Sequence, residues 1–143
     1  MSITGTQITL GTYYTAALTN TVGVLIFTKG LTNQALMSAD PVLFSRFGLV
    51  MIMVWGLCYF ACAQSARSEV KISLVFAIEK LAYVISWIVL LQSDFEWGAL
   101  FEQDLLAGIF YSIYGVVDGV YLLLFLYCAR LASLNQGASS DHA

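Results

Sequence analysis

Apolar residues in this chain form four long blocks separated by short polar stretches. The blocks run from about 10 to 28, 41 to 66, 70 to 91 and 105 to 129. Each is close to the ~20 apolar residues that a transmembrane helix needs, and none alternates with the period of a strand. Because short loops join the blocks, the pattern predicts an all-α membrane protein, an up-down antiparallel four-helix transmembrane bundle.

Residues at the edges of the blocks predict where the helices begin and end. Lys29 and Gly30 end the first helix, because glycine tolerates the left-handed cap conformation. Asp40 followed by Pro41 is typical of a helix start, so we expect the second helix to begin there. Ser68 is the expected N-cap of the third helix.

A short amphipathic segment precedes the fourth block. Ser93 and Glu96 have the spacing of a capping box, and Trp97 is a residue type favoured at the membrane–water interface. We therefore expect a short interfacial helix before the fourth span. The polar residues 135–143 are predicted to be a disordered tail, which leaves residues 1–134 as a single domain.

The composition excludes several kinds of function. Hydrophobic residues make up 59% of the chain and charged residues only 10%, against about 25% charged in soluble domains, so lipid must face most of the surface. A length of 143 residues leaves no room for a soluble catalytic domain. The net charge of −3 does not indicate a nucleic-acid partner. No basic residue precedes the first span, which we therefore expect to be retained.

Cysteine and histidine give no sign of a metal or a cofactor. Cys58, Cys62 and Cys128 lie inside apolar blocks without zinc-type spacing. The single histidine, His142, belongs to the polar tail. We therefore predict no metal site, no disulfide framework and no cofactor.

Basic residues near the ends of the blocks indicate an orientation. Arg67, Lys71 and Arg130 fall on the side that also holds both termini, and Lys29 and Arg46 fall on the other. The positive-inside rule then predicts a multi-pass protein of the cell (inner) membrane with cytoplasmic termini.

Polar or ionisable residues lie at the middle of three predicted spans. They are Asn20 in the first span, Glu79 and Lys80 in the third, and Asp118 in the fourth, while Trp55 marks the middle of the second. A charged side chain at the bilayer centre costs about 2.5–3.5 kcal/mol. We therefore expect these groups to face inward and to partner one another.

Tyrosines share the helix faces of the charged residues. On the third helix Tyr83 lies one turn from Glu79, and on the fourth Tyr114 lies one turn from Asp118. A tyrosine can hydrogen-bond a buried carboxylate while its ring packs on neighbouring helices. The tyrosines on the faces of the second, third and fourth helices are Tyr59, Tyr83, Tyr111, Tyr114 and Tyr121.

Charge counting leaves two interpretations of the mid-membrane residues. Two carboxylates and one ammonium sum to −1, so a proton, a cation or a cationic ligand is expected to complete the site. A carboxylate that takes and loses a proton is what a relay or a proton-coupled carrier requires. Alternatively, Glu79, Lys80, Asp118 and Asn20 are a hydrogen-bonded clamp that holds the helices together.

Small residues on one side of the fourth helix predict close packing. They are Gly108, Ser112, Gly115 and Gly119. Small residues four apart let helices approach closely. We favour packing inside the chain over a contact between copies.

Three functions remain open. The leading one is binding or transport of a small cationic or proton-exchanging solute, in a homo-oligomer if transport occurs. The predicted site comprises Asn20, Trp55, Glu79, Lys80, Tyr83, Tyr114 and Asp118. The alternatives are a non-catalytic accessory or assembly subunit of a larger membrane complex, and a lipid-modifying enzyme with Glu79 and Asp118 as acid–base pair. The enzyme ranks third because nothing in the sequence marks a nucleophile or a metal site.

Overall fold

All the secondary structure in the described part of the chain is helical. The computed structural model describes residues 3–140, with side chains described to residue 137. Within that range there is no strand, which confirms the predicted all-α fold. The α-helices are α1 (Ile3–Leu18), α2 (Val24–Phe27), α3 (Gln34–Ala39), α4 (Arg46–Cys62), α5 (Val70–Leu91), α6 (Trp97–Gln103) and α7 (Leu105–Ser140).

Within residues 3–140, two helices are long and apolar enough to cross a membrane, α5 and α7. Their mean hydropathy values are 2.1 and 1.9. Much of the α5 surface is exposed, including Ile78 at 67% and Val89 at 61%. Large apolar side chains exposed in this way favour a surface that contacts lipid.

A π-helical turn, Thr19–Gly23, joins α1 to α2. The backbone keeps right-handed helical angles at both of its ends, so the two helices form one continuous run. This run begins at Ile3, ahead of the predicted start of the first span near residue 10. It ends after Phe27, close to the predicted end.

The chain leaves α2 through a left-handed turn. Lys29, Gly30 and Leu31 have φ angles of 51°, 68° and 66°. The Gly30 amide donates to the Leu25 carbonyl at 2.8 Å, the kind of bond that closes a helix C-terminus. Left-handed angles are uncommon for residues other than glycine, and the Lys29 side chain here is anchored by an ion pair described below.

The predicted start of the second helix is wrong. Asp40 ends α3, and its carboxylate accepts from the Val42 and Leu43 amides at 3.1 and 2.8 Å, which closes a turn after Pro41. The helix begins instead at α4, where the Ser45 hydroxyl accepts from the Gly48 amide at 3.1 Å. With 17 residues, α4 is about 26 Å long.

Two further predicted caps do not form. The third helix, α5, has the predicted limits, but its N-cap is Glu69 rather than Ser68 and makes no side-chain cap bond. The Ser93 hydroxyl donates back to the Leu90 carbonyl at 2.7 Å. No capping box therefore precedes α6, whose N-cap is Glu96.

The last helix continues beyond its predicted end. Residues 135–140, assigned from composition to a disordered tail, belong to α7. The Asn135 and Gln136 amides donate to the Arg67 and Ser68 carbonyls at 3.3 and 2.8 Å, which ties this end of α7 to the α4–α5 loop. The rest of that tail, including His142, lies outside the described residues.

Two aromatic clusters form the core. In the first, Phe44 meets Tyr111 and Tyr114 edge to face, with ring centroids 5.3 and 5.0 Å apart. In the second, Tyr59 packs edge to face on Phe76 at 4.7 Å. Edge-to-face contacts at these distances are favourable beyond the apolar area that they bury.

The small residues of α7 accommodate aromatic rings from the same chain. A Cβ on Gly115 would lie 2.1 Å from Cγ of Trp87, and one on Gly108 would lie 2.5 Å from the Phe101 ring. The Trp87 indole also donates to the Tyr111 carbonyl at 2.9 Å. The glycines thus make room for rings rather than for a second helix backbone. The other two predicted packing residues are Ser112, which donates to the Gly108 carbonyl, and Gly119.

Candidate functional site

The ammonium of Lys80 is the centre of a buried polar cluster between the two aromatic clusters. Lys80 is 1% exposed and lies near the middle of α5. Its Nζ donates to Oδ1 of Asp118 at 2.6 Å and to Oδ1 of Asn20 at 3.2 Å. An ammonium has three donors, and Oε2 of Glu79 lies 3.7 Å away. Lys80 is therefore well provided with acceptors.

Asn20 reaches Lys80 from the π-helical turn. Its Nδ2 donates to the Ile52 carbonyl of α4 at 3.4 Å, so the side chain links three helical segments. Beside it, the Thr19 hydroxyl is 3.0 Å from the Tyr121 hydroxyl of α7. Single π turns inside α-helices are frequent at functional sites. Here the turn places two polar residues against the charged cluster.

Glu79 is only partly satisfied. Its Oε2 accepts a hydrogen bond from the Tyr59 hydroxyl of α4. Its Oε1 has no hydrogen-bond partner among the described residues. The atom is buried, and the whole residue is only 9% exposed. A buried polar atom without a partner costs free energy. A cationic donor at Oε1 would supply the missing hydrogen bond, and a proton at Oε1 would remove the buried charge.

Three tyrosine rings surround the Lys80 ammonium. Its Nζ lies 5.4, 5.8 and 6.0 Å from the ring centroids of Tyr59, Tyr83 and Tyr121. Cations within about 6 Å of an aromatic face are attracted by the ring quadrupole. Tyr59 and Tyr121 were on the predicted tyrosine faces but outside the predicted site. A buried carboxylate needs donors, and this requirement could have identified Tyr59 as a site residue from the sequence.

The remaining predicted residues line two separate spaces. Tyr114 lines an inner cavity of about 80 Å³ together with Lys80 and Asp118, which is room for a few water molecules. Trp55 does not reach the ammonium. It packs edge to face on Phe76 and lines an outer groove with Glu79.

The site therefore has one ammonium between two carboxylates. The ion pairs of the cluster, within the described part of the chain, are Lys80 with Asp118 and Lys80 with Glu79. Asp118 and Asn20 hold the ammonium at hydrogen-bond distance, while Glu79 is farther away. With every group ionised the cluster carries −1, and Glu79 is the less well compensated carboxylate.

A second polar cluster lies at the other end of α2 and was not predicted. Asp104 pairs with Lys29 and accepts from Asn33 Nδ2 at 3.0 Å and from the Ala107 amide at 2.9 Å. The hydrogen bond from Lys29, aided by the Ala107 amide, lowers the pKa of Asp104 to about 2. The Asp104 side chain thus links the left-handed turn after α2 to the start of α7.

Among residues 3–140, no group of three or more His, Cys, Asp or Glu side chains is placed to hold a metal ion. The three cysteines are free thiols, with Cys128 buried.

Comparison with known proteins gives no guide to function. No protein family, curated protein or solved structure matches this chain.

Proposed function

We propose that the chain is a multi-pass membrane protein with four transmembrane segments. These are the α1–α2 run, α4, α5 and α7. The first run, residues 3–27, is about 37 Å long, enough for the ~30 Å hydrocarbon core. α4 is shorter, but its Leu57 and Phe60 are 63% and 64% exposed, as on a lipid-facing helix.

The proposal also includes the identity of the membrane and the orientation of the chain within it. α6 lies in the interface, with both termini on the cytoplasmic side of the cell (inner) membrane. Support comes from the basic residues Arg67, Lys71 and Arg130, which outnumber Lys29 and Arg46 on the opposite side.

The site binds and exchanges a proton or a small cation within the membrane. The observation that carries this proposal is the buried, unpaired Oε1 of Glu79 beside a cluster that sums to −1. Because Asp118 and Asn20 already hold Lys80, the ammonium cannot fully compensate Glu79. A proton on Oε1 would neutralise the cluster and leave the Tyr59 bond to Oε2 intact.

Two spaces adjoin the cluster, one beside each carboxylate. Asp118 lines the inner cavity, and Glu79 lines the outer groove. Tyr83 lines both spaces. An ion bound at one carboxylate would be close to the other, since both lie within 4 Å of the Lys80 ammonium. Complete transport across a bundle this small favours a homo-oligomer.

The same geometry weighs against the alternatives. A structural clamp is expected to pair all of its polar atoms, and Glu79 Oε1 has no hydrogen-bond partner within residues 3–140. An acid–base pair would face one substrate, whereas Glu79 and Asp118 line different spaces.

Proton flux in liposomes tests the proposal. Purified protein is reconstituted with an internal pH-sensitive dye, and an external pH step is applied. We expect wild-type protein to speed pH equilibration and Glu79→Gln to abolish this, since the amide cannot exchange a proton. Glu69→Gln, an exposed carboxylate at the N-cap of the same helix, is the matched control. Equal flux from Glu79→Gln and wild type would refute proton exchange at Glu79.

A further inference from the structure

The outer groove opens between α4 and α5. It has a volume of about 410 Å³, within the range of ~300–1,000 Å³ that is usual for small-molecule sites. Leu43 and Trp55 form one wall. The other wall is one face of α5, made by Val75, Ile78, Glu79, Ala82, Tyr83 and Ser86.

The groove faces the apolar surface of the protein. Two of its lining residues, Val75 and Ile78, are 52% and 67% exposed on a helix that is apolar enough to cross a membrane. Val75 and Ser86 are about 17 Å apart along the α5 axis at about 1.5 Å per residue. The groove is therefore long and mostly apolar, and a molecule dissolved in lipid can enter it from the side.

One carboxylate oxygen of a residue that lines the groove lacks a hydrogen-bond partner within the described residues. The Ser86 hydroxyl donates to the Ala82 carbonyl at 3.0 Å. Glu79 is nine-tenths buried, and its Oε1 has no hydrogen-bond partner within the described residues. The aromatic rings of Trp55 and Tyr83 line the same space, and such rings favour a cation over a neutral group.

We propose that this groove binds an amphipathic amine, a single ammonium head on an apolar chain, that enters from the lipid between α4 and α5. The ammonium donates to Glu79 Oε1, and the chain lies along Val75, Ile78 and Ala82. This inference rests on the proposed exchange at Glu79 and names the ligand class that occupies it.

Charge selects the head group. One added positive charge brings the cluster of Glu79, Lys80 and Asp118 to zero. A neutral alcohol of the same length would donate a hydrogen bond but leave the buried charge of −1. A short, water-soluble amine would supply the charge but would enter the lipid beside the groove far less readily, since each CH₂ that leaves water contributes ~0.8 kcal/mol.

Photolabelling tests the proposal. The probe is a long-chain primary amine with a diazirine in its chain, added to protein in nanodiscs and mapped by mass spectrometry. We expect labels on α4 and α5 residues of the groove. Dodecylamine should compete at least about tenfold better than ethylamine or dodecanol, which corresponds to ~1.4 kcal/mol.

Substitutions in the groove sharpen the test. Ala82→Phe fills the groove and should reduce labelling about tenfold, whereas Ala61→Phe, at an exposed α4 position outside the groove, should not. Ser86→Phe is a second blocking variant, and helicity and melting are checked for all three. Labelling that survives both blocking variants would overturn lateral entry.

The outcomes separate this inference from the proposed function. If ethylamine or dodecanol competes as well as dodecylamine, the ligand class is wrong. If labelling is absent from the groove while Glu79→Gln still abolishes proton flux, the groove inference fails and exchange at Glu79 stands. If Glu79→Gln changes neither labelling nor flux, both fail.

Discussion

Replacing Lys80 by Met removes the ammonium while keeping most of the volume of the side chain. Asp118 then loses a donor at 2.6 Å and Asn20 loses one at 3.2 Å, in a place where Lys80 is 1% exposed. Removing one partner of a buried ion pair costs about 3–5 kcal/mol, because the other charge is left uncompensated. We expect a loss of unfolding free energy in that range.

A double variant replaces both members of the Lys80–Asp118 ion pair. A buried ion pair exchanged for apolar residues of similar volume is often neutral in stability. Lys80→Met with Asp118→Leu should therefore recover much of the stability that Lys80→Met loses. Residues in one network couple by about 0.5–3 kcal/mol in such cycles, so the two substitutions should be clearly non-additive.

The assay is reversible unfolding of purified protein in mixed micelles, titrated with denaturing detergent and followed by circular dichroism. Lys71→Met is the matched control, since Lys71 is exposed on the same helix, and it should change stability by less than about 0.5 kcal/mol. Equal losses from Lys80→Met and Lys71→Met, or additive losses in the double variant, would refute a buried ion pair at Lys80.

Three further predictions concern other contacts. Gly115→Ala places a methyl group 2.1 Å from the indole Cγ above it, and such overpacking should destabilise by about 1–3 kcal/mol in the same titration; an unchanged midpoint would contradict this packing. In the folded protein Asp104 has a pKa of about 2, below its usual value, so its contribution to stability is complete above about pH 4 and is lost as the pH falls through 2. Asp104→Asn should flatten this dependence of stability on acid pH. Parallel pH profiles of stability for the variant and the wild type would show that Lys29 does not stabilise the carboxylate. Tyr59→Phe removes the hydrogen bond to Glu79 and should shift the pH dependence of proton flux; an identical profile would mean that Tyr59 has no influence on the carboxylate.

Local patterns predicted the helices well where an apolar run had no competing signal. The limits of α5 agree with the sequence because Val70–Leu91 is a mostly apolar run that contains no proline or glycine and no turn signal. The second helix was misplaced because Asp40 and Pro41 suit the start of a turn as well as the start of a helix. Sequence alone does not decide between these two uses.

The candidate site was predictable in its polar members but not in its geometry. The free-energy cost of a charged side chain inside a membrane singles out Glu79, Lys80 and Asp118 from the sequence, because each must find a partner. The period of a helix gives the face of a side chain, but not which carboxylate receives the ammonium. The pairing of Lys29 with Asp104, 75 residues apart in the chain, has no local signature.

Infrared difference spectroscopy tests proton exchange at the Glu79 side chain most directly, because it observes the carboxyl group itself. Protein in nanodiscs is recorded through an external pH titration, in wild type, Glu79→Gln and the control Glu69→Gln. The chain has nine Asp and Glu residues, so we predict that one component of the pH-responsive carbonyl bands of protonated carboxylic acids is lost in Glu79→Gln and kept in Glu69→Gln. Carbonyl bands that are identical in Glu79→Gln and the wild type would contradict proton exchange at Glu79.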